Sequence, residues 1–95
     1  MNSQIFEILR DKKSYFQEKY NISEIGIFGS YARGEERTES DVDILVEYYK
    51  TPDFFKFLDL EDELEKLFNK PIDLVSKPAL KPLIRDQILK ETIYI

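Results

Sequence analysis

Three short segments with apolar runs, Ile25-Gly26-Ile27-Phe28, Asp41 to Tyr49 with Val42, Ile44, Leu45 and Val46 at its middle, and Ile72-Asp73-Leu74-Val75, are set apart by stretches of helical or turn character. Runs this short have strand length rather than helix length, and two of them carry an aspartate among their apolar residues. Around them, Ile5, Ile8, Leu9, Phe16 and Tyr20 recur at helical spacing from Ser3 to Tyr20, with Ser3 as the expected N-cap and Asn21 as the stop. Tyr31 to Arg37 is short and polar, enough for one or two helical turns ending near Gly34. Thr51-Pro52-Asp53 offers a cap followed by proline at the first helical position. The helix it opens carries Phe54, Phe57, Leu60, Leu64 and Leu67 on one stripe, read as core, and ends at Asn69-Lys70-Pro71. Leu83, Ile84, Ile88 and Leu89 predict a last helix from Pro82 to about Glu91, and Thr92 to Ile95 has the composition of a short final strand. The expected fold is α/β, a small sheet covered mainly on one side by helices, and 95 residues suffice for one domain, 1–95.

The residues missing from the chain narrow its chemistry. With no cysteine and no histidine, thiolate metal sites, imidazole acid–base catalysis and Ser-His-Asp triads are all excluded. Any metal must be held by oxygen. Nineteen Asp and Glu against 14 Lys and Arg give a net charge of -5, which disfavours a broad nucleic-acid-binding face. The N-terminal Met-Asn-Ser-Gln is not a basic start leading into an apolar run, so no signal peptide is expected. No apolar stretch approaches the roughly 20 residues that span a bilayer. A cytoplasmic protein without a membrane partner is the expectation.

The chemistry-bearing segment runs from Gly29 to Asp43. Gly29-Ser30 stands where a strand hands over to a helix, a place where the backbone can approach an anion closely and Ser30 adds a hydroxyl. The competing reading is a plain turn with an N-cap. Asp41 and Asp43 are two apart on a strand and so share a face. An ionised Asp43 within an apolar run is costly to desolvate, and its neighbour repels it unless a cation intervenes. Oxygen ligands on a rigid element suit Mg²⁺; the competing reading is a solvated strand entry with Asp43 paired to a base. Asp73 poses the same choice, metal ligand or edge-strand charge, and gains weight if its strand neighbours that of Asp43. The basic residues Lys77, Lys81, Arg85 and Lys90 near the end face either a triphosphate or acidic partner, or simply water.

Gly29-Ser30-Tyr31-Ala32-Arg33-Gly34-Glu35 and Ser40-Asp41-Val42-Asp43 resemble the G-S-x-A-R-G and S-D-x-D signature of the MNT-type minimal nucleotidyltransferases, within the polymerase-beta superfamily. The element order and the placement of Asp73 fit that resemblance along nearly the whole chain. It implies the minimal nucleotidyltransferase fold, a small mixed sheet packed against helices. It also implies that Gly29 and Ser30 hold the phosphates of ATP and that Asp41 and Asp43 bind Mg²⁺. Asp73 would be the third carboxylate, as ligand or as base, and Arg33 would either touch phosphate or pin the loop by pairing with an acid.

Stand-alone proteins similar to this one are MNT antitoxins paired with HEPN-domain RNase toxins. The resemblance therefore implies transfer of AMP to a tyrosine of a HEPN partner. Two other readings stand beside it: a binding antitoxin without catalysis, and nucleotidyl transfer to a small molecule.

Overall fold

The computed structural model describes residues 3–95, and helix α1 runs over Ser3–Tyr20. Its buried residues Ile5, Leu9, Phe16 and Tyr20 fall on one face, as the spacing predicts. Asn21, at φ 57°, turns the chain out of the helix. The helix begins at Ser3 itself, whose side chain lies outside the described ones, as does the cap expected there.

Strand β1 spans Ile22–Phe28 and starts three residues before the apolar run that announced it. Ser23 and Glu24 are exposed and polar, which hides the strand from a hydrophobicity reading. Pairing supplies what the side chains do not, since Ile22 aligns with Tyr48 and the Ser23 hydroxyl donates to the Glu47 carbonyl at 3.0 Å. The five-residue helix α2, Gly29–Arg33, follows directly and ends at Gly34 in the left-handed conformation. Strand β2 covers Val42–Tyr48, and α3 covers Phe54–Phe68. Strand β3 is Ile72–Ser76, followed by a 3-10 turn over Lys77–Ala79, helix α4 over Pro82–Glu91 and strand β4 over Ile93–Tyr94.

The four strands form one mixed sheet in the order β3-β2-β1-β4. β1 is antiparallel to both β2 and β4, while β2 and β3 run parallel with α3 as the crossover between them. Val42, Ile44 and Val46 pack with Leu9 and Phe16 of α1 and Leu60 and Leu64 of α3, the main core. Alternation turns Asp43 and Leu45 to the other face. There a smaller cluster of Phe28, Leu45 and Leu80 is covered by Ile88 and Leu89 of α4. One face is therefore fully roofed by helices and the other only in part, as the element order implies.

Three local expectations are corrected. The cap of α3 is Asp53, whose Oδ1 accepts the Lys56 amide at 2.8 Å, and Pro52 lies ahead of the helix. An aspartate carboxylate outranks threonine in this role because it is short, charged and aimed at the free amides. Phe54, read as core, is 69 % exposed, while Leu60, Leu64 and Phe68 are the buried set. The helix meets the core only after its first turn, so rings at its start are left outside. Similarly, Leu83 of α4 is 99 % exposed, and its helix is anchored through Ile88 and Leu89 instead.

These assignments separate two substitutions in the same helix. Leu64→Ala is expected to destabilise by about 2–5 kcal/mol, and Phe54→Ala by less than about 0.5 kcal/mol. Urea titration reads both, as a shift of midpoint at constant slope for Leu64→Ala and no material shift for Phe54→Ala.

Candidate active site

The partly roofed face carries the acids. Parallel pairing of β2 and β3 aligns Asp43 with Asp73, in the same register that aligns Ile44 with Leu74. The two side chains are neighbours on adjacent strands, and the charge of Asp73 disfavours ionisation of Asp43. Asp41 stands one residue before β2, exposed, and acts on Asp43 through space. The Asp43 carboxyl is pushed up to about 6, first by burial, then by the neighbouring charges of Asp73 and Asp41, with Arg33 opposing them. The expected cage of three carboxylates is thus a contacting pair with a third acid beside it. Among the described residues, no group of three or more acids is set closely enough to hold a metal. Mutual repulsion and hydration favour the outward position of Asp41, which nothing in the strand register constrains.

The turn between β1 and α2 completes the site. Phe28 aligns with Asp43 across the sheet, so the next residue, Gly29, comes down onto that carboxylate. A Cβ on Gly29 would lie 1.9 Å from Asp43 Oδ2, and its φ of +71° is one that side chains rarely adopt. Only glycine fits here. Gly29 and Ser30 are the first residues of α2; the cap position is Phe28 and no side chain caps the helix, so Ser30 does not serve as the N-cap of the alternative reading. The Gly29 amide donates to Glu91 Oε2 at 2.6 Å.

The remaining motif residues shape the approach to the acids. Ser40 Oγ accepts the Arg37 amide at 2.8 Å, and the Ser40 amide donates back to the Arg37 carbonyl at 3.0 Å. This closed turn delivers Asp41 to the start of β2. Arg33 donates from Nε to Glu35 Oε1 at 2.7 Å and from Nη1 to Glu91 Oε2 at 3.0 Å, the loop-pinning arrangement. Of the basic residues, Lys77 lies 3.9 Å from Glu47, and Arg85 donates to the Lys77 carbonyl at 3.3 Å. Lys81 and Lys90 are exposed. A surface cavity of about 500 Å³ lined by Lys12, Tyr15, Phe16, Glu63, Lys66 and Leu67 belongs to α1 and α3, on the opposite face from the acids.

Glu91 is the site residue that sequence reasoning missed. One signal was available: an acid in the last turn of a helix faces the negative end of its dipole, where it weakens the helix.

A mixed sheet that sets paired carboxylates against a glycine turn suits nucleotidyl transfer, and the chain's relatives are nucleotidyltransferases. The polymerase beta nucleotidyltransferase pattern matches residues 11–95. A candidate protein adenylyltransferase of Methanocaldococcus jannaschii is 50% identical over 94 residues, covering 98% of this chain and 96% of that protein. The protein adenylyltransferase MntA of Thermococcus cleftensis is 44% identical over 92 residues, covering 97% of this chain and 93% of that protein. A solved minimal nucleotidyltransferase superposes with a TM-score of 0.82 at 31% identity, covering 98% of this chain and 95% of the other. The chain belongs to the polymerase beta nucleotidyltransferase family, in its minimal, MNT-type form. No described helix is long and apolar enough to cross a membrane.

Two outcomes follow from this geometry. Because folding raises Asp43 from 3.8 to about 6, the folded state holds that proton more tightly than the unfolded chain. Its stabilising contribution is complete below about pH 4 and is lost as pH rises through 6. In chelator-treated protein, Asp43→Asn should melt above the wild type at pH 8, with the gap closing toward pH 4. Gly29→Ala should lower the melting temperature by at least about 5 °C, read by circular dichroism.

Proposed function

We propose that this chain is a Mg²⁺-dependent protein adenylyltransferase that silences a HEPN-type RNase toxin by transferring AMP from ATP to one of its tyrosines. The observation that carries the proposal is the Asp43–Asp73 pair, set in register on adjacent strands and pressed against Gly29. The relatives named above support protein as the acceptor. A solved complex of an MNT antitoxin with a tri-AMPylated HEPN toxin from Shewanella oneidensis contains a chain of this fold, and its partner is the precedent for the one proposed here. Another toxin–antitoxin complex of the same fold carries AMP-PNP, a precedent for ATP.

The donor set fits a hard divalent cation. Asp41, Asp43 and Asp73 offer only oxygen, and the elevated affinity of Asp43 for a proton marks a place where positive charge is wanted. The Asp43–Asp73 pair would hold Mg²⁺, with Asp41 beside it adding negative charge, and the ion when bound neutralises charge on the phosphates. Gly29 and Ser30, beside Asp43, would hold the phosphates. The toxin's tyrosine oxygen attacks the α-phosphorus, a P–O bond forms to the tyrosine, and the bond to the departing pyrophosphate breaks. Asp73, more exposed than Asp43, would take the phenolic proton. Arg33 holds the turn through Glu35 and Glu91. No covalent enzyme intermediate is required, consistent with a chain without cysteine or histidine.

Intact-mass spectrometry of a HEPN toxin incubated with this protein, Mg²⁺ and ATP tests the proposal. Wild type should add adenylyl mass to the toxin, and Asp43→Asn should slow the transfer by at least about a hundredfold, about 2.7 kcal/mol of barrier. An unmodified toxin whose RNase activity is nonetheless blocked, equally by wild type and by the Asp41→Asn, Asp43→Asn double variant, would establish a binding antitoxin instead.

A further inference from the structure

We infer that Glu91 is a positioning residue of the transfer reaction: its carboxylate clamps both ends of helix α2 and thereby fixes the Gly29-Ser30 turn over the catalytic acids. The inference rests on the reading of that turn as the nucleotide's seat. One oxygen, Oε2, accepts from the Gly29 amide at 2.6 Å and from Arg33 Nη1 at 3.0 Å. Gly29 is the first residue of α2 and Arg33 the last. A five-residue helix has almost no stability of its own, because nucleation costs more than one turn of hydrogen bonds returns. Its shape must therefore come from outside: the Tyr31 ring is buried in the main core, and the Glu91 carboxylate touches both ends of the helix.

The clamp is itself held rigidly. Glu91 closes α4, whose Ile88 and Leu89 sit against the smaller core. Directly after it, Ile93 and Tyr94 pair with Ile27 and Gly26 of β1, and the Ile95 amide donates to the Ile25 carbonyl at 3.0 Å. Gly26 makes this possible, since a Cβ there would meet the Thr92 methyl at 2.6 Å. The carboxylate is thus referenced to β1, the strand that leads into Gly29. With its side chain only 15 % exposed, the Glu91–Arg33 pair is shielded from water more than the Arg33–Glu35 pair, whose partners are both well exposed. Tolerance at the turn is small because Gly29 already lies against Asp43 Oδ2. A shift of about 1 Å in such a place is enough to lower a rate by about a hundredfold.

Steady-state kinetics of adenylyl transfer to the HEPN toxin, with Mg·ATP varied, tests the inference on Glu91→Ala, Glu91→Gln and Glu91→Asp. Glutamine keeps an acceptor oxygen in place, so Glu91→Gln should stay within about threefold of wild type, whereas alanine should raise the KM for Mg·ATP about tenfold or more. Aspartate keeps the charge but falls short by one methylene, about 1.5 Å, and should be worse than glutamine. This order keeps the test decisive even if Glu91→Ala does not fold. A role in stability alone would lower the active fraction, and hence kcat, without moving KM. An unchanged KM in Glu91→Ala and Glu91→Asp would overturn the inference, and so would a lowered one, because Glu91 would then be competing with phosphate for the same donors. Glycine-selective ¹⁵N labelling, simple in a chain with three glycines, reads the bond apart from activity. The Gly29 amide proton should move upfield in Glu91→Ala and stay downfield in Glu91→Gln; no movement in either would likewise overturn the clamp. Failure of the functional proposal shows itself separately, as a wild type that transfers nothing, and takes the inference with it.

Discussion

The parallel register of β2 against β3 is the constraint from which the rest of the site follows. It puts Asp43 beside Asp73 in the same pairing that stacks Ile44 with Leu74 in the main core. A shift of one residue in either strand would turn that strand's acid into the apolar face and its aliphatic residues out of it. The acids are therefore held together by the hydrophobic residues that alternate with them, and the α3 crossover makes the parallel arrangement possible.

That arrangement is electrostatically unfavourable by itself. Asp43 is partly desolvated and faces like charges, which is why it holds its proton to about pH 6. The burial of Leu9, Ile27, Ile44, Leu60 and Leu64 on the opposite face supplies the stability that lets the sheet carry such a pair. Division of labour between faces explains the asymmetry of the fold. One face is packed tightly and supports; the other is roofed only in part, leaving the acids reachable.

The second half of the site is built from the far end of the chain. β1 delivers Gly29 onto Asp43, and the segment from α4 to β4 returns to β1 and places Glu91 against both ends of α2. A turn too short to hold its own shape is in this way given one by tertiary contacts. The same contacts account for Arg33, whose two bonded nitrogens face carboxylates of Glu35 and Glu91.

Much of this was legible in the residues. The helical spacing of Ile5, Leu9, Phe16 and Tyr20, the apolar strands, the stops at Asn21 and Asn69, and the glycine and aspartate signature are local patterns, and each is dictated by sterics and periodicity within a few residues. The polar start of β1 was not legible, because partner strands rather than side chains hold Ser23 and Glu24 in place. Nor was the exposure of Phe54, since a stripe shows which side of a helix is apolar but not where along its length the core begins. The sequence by itself determined which elements form and which residue types could carry chemistry. Only the tertiary structure decided that Asp43 meets Asp73, that Asp41 stands apart from them, and that Glu91 reaches Gly29 from 62 residues away. Strand register and long-range contact depend on how whole faces pack against one another, and no local stretch of chain contains that information.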